Sequence, residues 1–221
     1  MSEHMLKIDG VKVAIQGAEV LRGVSLAVPA GGLVALVGRN GAGKTTTLRS
    51  VMGLLPLMGG KISVDGVDLA QVPAFKRAQL GIGYVPEDRR LIGRLTVADN
   101  LLLPAWSGGA ANAPRRLEHV YELMPDLAAL ASRRAAQLSG GQQKMAALAR
   151  ALMSATKLLL LDEPFEGLSP GMGEKLAATI RDVQRTGVSI LVAESDVKRV
   201  GFVEQTYTIE RGEIAQAIAV A

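Results

Sequence analysis

Hydrophobic and polar side chains alternate in the first part of the chain. Val11, Val13 and Ile15 are separated by polar or small residues, and Val24, Leu26 and Val28 repeat the pattern. A period of two marks half-buried strands, and Pro29-Ala30-Gly31-Gly32 reads as the turn that ends them. The pattern then changes: Leu33-Val34-Ala35-Leu36-Val37 is apolar at every position, as expected of a strand buried on both faces. Lys157-Leu158-Leu159-Leu160-Leu161-Asp162 and Val188-Ser189-Ile190-Leu191-Val192 read as two more buried strands. Such strands separated by helical stretches predict an α/β fold.

A helix is expected from Thr45 to about Leu55, stopped by Pro56 and Gly59-Gly60. Lys61 to Val67 looks like a strand entering an Asp65-Gly66 turn. Residues 88–154 are richer in Ala, Leu and Arg, with Gly108-Gly109 and Pro114 as breaks, and read as a mostly helical insertion. A further helix is expected near Gly173–Arg185, and Thr206-Tyr207-Thr208-Ile209 and Glu213-Ile214 close the domain around an Arg211-Gly212 turn. With no repeat and no long linker, one domain is expected over residues 3–218.

Two motifs carry chemistry. Gly38-Arg39-Asn40-Gly41-Ala42-Gly43-Lys44-Thr45, followed by Thr46, leaves the first buried strand directly. It fits the P-loop pattern, in which backbone N–H groups wrap a polyphosphate. Lys44 is expected to meet the β- and γ-phosphates, and the Thr45 hydroxyl to sit on Mg²⁺. Asp162 emerges at the C-terminal end of a buried strand, where open α/β sheets bind ligands, and suits a direct or outer partner of Mg²⁺. Glu163, next to it, can orient or polarise an attacking water; the plainer reading of the two carboxylates is a strand-end cap or salt bridge. The second motif, Leu138-Ser139-Gly140-Gly141-Gln142-Gln143, opens an apolar-periodic helix. A bare helix N-terminus there is a second anion site. Ser139 is also an ordinary N-cap, but two glycines behind a cap are costly in a helix, which argues that something approaches the backbone closely.

The two motifs in this order resemble the nucleotide-binding domain of ATP-binding-cassette (ABC) transporters, over about Leu6 to Ile214. The P-loop, Tyr84-Val85-Pro86-Glu87, the signature at 138–142 and Leu158–Pro164 carry the resemblance. It implies a P-loop NTPase of the ABC type, with an N-terminal antiparallel β subdomain and a helical subdomain inserted at about 88–154. It implies ATP and Mg²⁺ at residues 38–46, Thr45 and Asp162, with Ile15 under the adenine. Ser139, Gly140, Gly141 and Gln142 would cap ATP lying on a second ABC ATPase subunit, identical or different. Two integral-membrane permease subunits would dock beside Tyr84–Arg94, a periplasmic or extracellular substrate-binding protein would act indirectly, and the chain would lie on the cytoplasmic face of the membrane.

A closer resemblance, to the ATPase subunits of branched-chain (hydrophobic) amino-acid importers, rests on Gly83-Tyr84-Val85-Pro86-Glu87-Asp88-Arg89-Arg90, Leu95-Thr96-Val97-Ala98-Asp99-Asn100-Leu101 and Gly167-Leu168-Ser169-Pro170. It implies a transport-coupled ATPase, with urea or short-amide importers as the next alternative. Glu87 stands where most cassettes carry Gln and is expected to meet Mg²⁺ or water. Two positions depart from the wider family. Its adenine-stacking ring matches Ile15, and no Phe, Tyr or Trp precedes Phe75. Its histidine after the third buried strand falls at Ser195, whose hydroxyl can bond a γ-phosphate without imidazole's charge and reach. Together they imply a site that binds ATP but turns it over slowly, and a better site on a partner.

Hydrophobic residues make up 48% of the 221, which suggests a surface covered by partners. No run approaches the roughly 18 apolar residues of a membrane span, and residues 1–5 do not begin a signal peptide. The absence of cysteine excludes disulfides and thiolate metal sites. A net charge of +4, with the pairs Arg89-Arg90, Arg115-Arg116 and Arg133-Arg134, allows a nucleic-acid surface, but solvated charge or a protein contact is the plainer reading, and aromatic residues at only 3% offer little stacking platform for single strands. A non-transport ABC ATPase acting on DNA would need a long coiled coil between the motifs, and nothing here sustains heptads. Trp106 reads as a packed anchor and His119 as a surface residue.

Overall fold

The computed structural model describes residues 4–108 and 112–219. Two long strands, β1 (His4–Ile15) and β2 (Ala18–Pro29), lead into β3 (Leu33–Val37) and α1 (Lys44–Val51). A hairpin of β4 (Gly59–Val64) and β5 (Val67–Asp68) follows, then α2 (Ala74–Arg77) and β6 (Ile82–Val85). The helices α3 (Val97–Gly108), α4 (Ala113–Leu123), α5 (Pro125–Ala128) and α6 (Gly140–Leu152) come next. The chain returns through β7 (Leu158–Asp162), α7 (Pro170–Arg185), β8 (Ser189–Glu194), β9 (Gln205–Glu210) and β10 (Glu213–Ala219).

Two sheets result. One is antiparallel, in the order β2-β1-β4-β5; the other runs β10-β9-β3-β8-β7-β6 and is parallel except for its β10 edge. The apolar runs sit at the centre of the second sheet and divide by parity. Val34, Leu36, Leu158, Leu160, Leu191 and Ala193 join the core shared with the antiparallel sheet and α1. Leu33, Ala35, Leu159, Leu161, Ile190 and Val192 join the core built with α6 and α7. Burial on both faces is why these strands show no alternation. Parallel pairing sets Val37 beside Glu194, and Asp162 beside Ala193. The P-loop and the acidic residues therefore leave the sheet at one edge.

Three hairpins turn on a residue followed by glycine, both left-handed: Gln16-Gly17, Asp65-Gly66 and Arg211-Gly212. Positive φ at both positions matches the twist of antiparallel strands. The last turn also reaches the P-loop, since the Gly212 amide donates to the Ala42 carbonyl at 2.9 Å.

The helix from the P-loop ends sooner than its sequence suggests. It stops at Val51, because Gly53 adopts a φ of 70° and the Leu54 amide closes back on the Arg49 carbonyl at 2.9 Å, a glycine C-cap. Pro114 opens α4 instead of breaking a helix, as its fixed φ permits. Of the other expected break, Gly109 lies outside the described residues. The α7 helix starts at Pro170, before Gly173, and Trp106 is 63% exposed on α3 rather than packed.

The far end of α1 is anchored by a buried arginine. The Arg77 guanidinium donates to the carbonyls of Ser50, Val51, Leu69 and Val72 at 2.6–3.1 Å. Arg77→Ala would take the guanidinium from the Val51 and Val72 carbonyls and leave those of Ser50 and Leu69 with the Gly53 and Val72 amides alone, each carbonyl left unpaired costing about 1–3 kcal/mol if it stays dry. The variant is expected to lose about 3 kcal/mol of stability in urea unfolding, allowing for partial rehydration. A loss under about 0.5 kcal/mol would mean that water replaces the guanidinium.

Candidate nucleotide-binding site

The P-loop is shaped by its neighbours before any ligand is considered. A Cβ on Gly38 would lie 2.4 Å from the Ile209 carbonyl of β9, and one on Gly43 would lie 2.7 Å from Leu21. Gly43 also takes a φ of 117° as it caps α1. Neither position accepts a side chain. The loop crosses the edge of the sheet with Arg39, Asn40 and Gly41 exposed and Ala42 and Thr46 buried. An open cavity of about 550 Å³ lies over it, lined by Gly38 to Ala42, Ser195 and Glu210.

Lys44 is the first residue of α1, and its side chain is 4% exposed. Its ammonium donates to the carbonyls of Gly38 at 2.8 Å and Arg39 at 3.3 Å, and pairs with Glu163 Oε1 at 2.9 Å. A buried ammonium needs such partners, because desolvation otherwise outweighs its attractions. The second Glu163 oxygen accepts from the Ser195 hydroxyl at 3.1 Å. In this state both carboxylate oxygens of Glu163 are engaged, and Lys44 is satisfied by the protein itself.

Asp162 is bracketed by hydroxyls. Thr45 donates to Oδ1 at 2.9 Å and Tyr84 to Oδ2 at 3.2 Å. Burial raises the Asp162 pKa, opposed by these two hydrogen bonds and reinforced by Glu87 and Glu163. Burial and the nearby Asp162 push the Tyr84 phenol up, so it remains a donor, while Arg49 approaches it from α1. Glu87 follows β6 and is exposed. Lys44 among carbonyls, a loop closed to a Cβ at Gly38 and Gly43, and a Thr–Asp pair beside it together fit a polyphosphate carrying a divalent cation. Thr45 and Asp162 are the groups that can hold the cation, whose contribution when bound is to neutralise phosphate charge.

The remaining expected residues sit at element ends. Ile15 ends β1 at the hairpin tip, 39% exposed, so it can offer a flat aliphatic contact but no ring. Ser139, Gly140, Gly141 and Gln142 lie at the start of α6 and make no hydrogen bond to the P-loop among the described residues. The helix end is not bare. Ser139 Oγ accepts from the Gln142 amide at 3.3 Å, and Gln142 Oε1 from the Ser139 amide at 2.9 Å, a reciprocal capping box. The close neighbour of Gly141 is Met172 of α7, 3.0 Å from where a Cβ would stand; Gly140 has only the Arg89 guanidinium, at 3.6 Å.

Sequence reading missed Lys144, buried on α6, which donates to the Glu163 carbonyl at 3.0 Å. The signal was present as a lysine on the apolar face of the signature helix. The Tyr84 hydroxyl was missed as a partner of Asp162, because its role depends on pairing between β6 and β7.

The sequence profile described as "ABC transporter" matches residues 21–166. The chain belongs to the ABC transporter family. It is 36% identical over 211 residues to the "High-affinity branched-chain amino acid transport ATP-binding protein BraG" of Pseudomonas aeruginosa, covering 95% of this chain and 91% of that one. It is 34% identical to the "Lipopolysaccharide export system ATP-binding protein LptB" of Escherichia coli K12, covering 91% and 85%. A solved ATP-binding cassette of an ABC transporter in its ADP conformation superposes with a TM-score of 0.89 at 23% identity, covering 99% and 92%. A dimeric bacterial ABC transporter cassette gives 0.87 at 25%, covering 98% and 99%. This ABC protein is thus an ATP-binding subunit, a transport-coupled ATPase with the ABC-type P-loop fold. Subunits of this kind dimerise and couple to membrane permeases. No described helix is long and apolar enough to cross a membrane.

The Lys44–Glu163 pair generates a direct test. Glu163→Gln leaves a buried ammonium without its counter-charge, which costs stability. It also frees Lys44 for phosphate. The variant is expected to melt lower than the parent alone, yet to bind a fluorescent ATP analogue about fivefold more tightly, a gain of about 1 kcal/mol. Unchanged affinity would show that the ion pair does not compete with nucleotide.

Proposed function

We propose that this chain powers an importer of branched-chain or other hydrophobic amino acids, hydrolysing ATP at a site it shares with a second ABC ATPase subunit. The observation behind the shared site is the separation within one chain. Residues 38–46 gather the phosphate-binding groups, while Ser139–Gln142 cap their own helix elsewhere. In this reading Lys44 moves from Glu163 to the β- and γ-phosphates, and Thr45, Asp162 and Glu87 serve Mg²⁺. The freed Glu163 orients the attacking water, with Ser195 beside it. Ile15 supports the adenine, and the signature closes over nucleotide on the partner. The working unit is one domain over residues 3–218, with the helical insertion at about 88–154.

The amino-acid reading draws on the likeness to BraG and on Glu87 and Ser169-Pro170, which the importer ATPases resemble. The likeness to LptB at 34% identity favours a second reading, export of a lipid-linked substrate. The two separate by uptake of radiolabelled leucine in cells lacking or expressing the chain. Permease helices would dock in the cavity of about 340 Å³ bounded by Asp88, Arg89, Arg90, Leu91 and Gly93, which puts the chain on the cytoplasmic face of the membrane.

Ile15 and Ser195 make the own P-loop site slow, and this favours a non-identical partner. Turnover of the purified chain should be low and should not rise faster than its concentration. Combining Ile15→Tyr with Ser195→His should tighten nucleotide binding by about tenfold, from about 1–3 kcal/mol of restored stacking, and raise turnover. Steep, concentration-driven turnover by the parent, abolished by Glu163→Gln, would instead mean that it pairs with itself.

A further inference from the structure

Glu194 ends β8 fully buried, at 0% exposure, and phosphate chemistry gives it no role. Its contacts nevertheless span the site. Its backbone carbonyl accepts from the Gly38 amide, at the start of the P-loop, at 3.1 Å. Its Oε1 accepts from the Phe165 amide at 2.9 Å. Its Oε2 has no hydrogen-bond partner among the described residues and faces the Arg199 guanidinium at 3.7 Å. A carboxyl in the core with one oxygen unpaired is destabilising on its own.

The turn that Glu194 grips is the one that carries Glu163. Glu163 has a φ of 48°, a left-handed backbone that a non-glycine residue holds only where its surroundings impose it. Three contacts impose it here. The Glu163 amide donates to the Ala193 carbonyl at 2.9 Å, Lys144 donates to the Glu163 carbonyl at 3.0 Å, and the Phe165 amide donates to Glu194. The first two fix the peptides on either side of the Glu163 Cα. The third stops the following residues from unwinding.

We infer that Glu194 is a positioning residue for Glu163: by accepting from the Phe165 N–H it locks the Glu163–Phe165 turn to the end of β8 and holds the Glu163 carboxylate against the P-loop. Its own protonation fits that task. Burial pushes the Glu194 carboxyl up to about 7, reinforced by Glu163 and opposed by the Phe165 amide, Arg199 and the Ser195 amide. Lys144, from α6, is the other charge within its field. A neutral carboxyl still offers Oε1 as an acceptor and keeps a second negative charge away from Glu163. Because the ordinary value is 4.5, the stability this group contributes is complete below that value and is lost as pH rises through about 7.

The inference rests on the family's ATPase activity and not on the transported substrate, and its first readout needs no turnover. Hydrogen exchange followed by mass spectrometry on the purified chain reports the amides of the Glu163–Phe165 turn. Glu194→Ala is expected to speed exchange there by about tenfold or more. Glu194→Gln keeps an acceptor at Oε1 and should exchange like the parent. Where turnover is measurable, kcat should fall in Glu194→Ala and not in Glu194→Gln, with ATP affinity unchanged in both. Parental exchange in Glu194→Ala, or loss in Glu194→Gln equal to that in Glu194→Ala, would overturn the assignment. Should Glu194→Ala not fold, the Gln variant still decides. Its melting temperature relative to the parent should rise between about pH 5 and about pH 8, because only the parent loses its proton; a constant difference would overturn the neutral acceptor.

Discussion

Desolvation of the Lys44 ammonium is the constraint on which the rest of the site depends. A charge at 4% exposure must be surrounded by acceptors, and those around Lys44 come from distant parts of the chain. The Gly38 and Arg39 carbonyls belong to the loop leaving β3, and the Glu163 carboxylate to the turn leaving β7. Satisfying the lysine therefore ties the P-loop to the acidic turn before any phosphate arrives. The same arrangement makes the site exchangeable. In the proposed reading a polyphosphate would offer Lys44 stronger acceptors and release Glu163 for the attacking water, so that binding and arming of the site would be one event.

Much of this could be read from the residues because the controlling interactions are local or periodic. Three near-continuous apolar runs announced the central strands, and two residue–glycine turns, Asp65-Gly66 and Arg211-Gly212, marked hairpins; Gln16-Gly17 was not read. The P-loop and Asp162-Glu163 could be placed because a strand end and a helix start fix them within a few residues. Reading failed where the deciding partner is remote. The anchor of the far end of α1, Arg77, lies 26 residues beyond Val51 in the chain. Lys144 lies 19 residues from Glu163, and Glu194 lies 29 from Phe165. The local pattern marks Lys144 as a lysine on an apolar helix face, but for neither residue does it name the turn that it meets only after the sheet has formed. The capping of Ser139 by Gln142 lay within three residues and was legible, but the glycines behind it drew attention to an external ligand instead.

The loop after β6 is joined to the signature helix by side chains rather than by packing alone. Arg150 of α6 donates to the carbonyls of Arg89 and Arg90 at 2.7 and 2.6 Å, and Arg89 donates to Gln143 at 3.0 Å. Arg89 and Arg90 both have positive φ, so this loop holds a conformation that its residues would not choose alone. A displacement of the loop must therefore either break these bonds or carry α6 with it. That places the groove beside Asp88–Gly93 in mechanical contact with the N-terminus of α6, across the helical region.

The capping box on Ser139 has a further consequence. An unpaired helix N-terminus would attract any passing anion, and a cassette alone in solution would collect phosphate there. Because Ser139 Oγ already takes the Gln142 amide and Gln142 Oε1 the Ser139 amide, an incoming phosphate that needs either of them has to displace an internal ligand worth about 1 kcal/mol. A weak anion loses that competition by about a factor of five, whereas in the proposed reading a nucleotide held by a second chain would bring further contacts. Under the proposed function the serine would then act as a threshold, set against free phosphate and overcome by nucleotide that a partner presents.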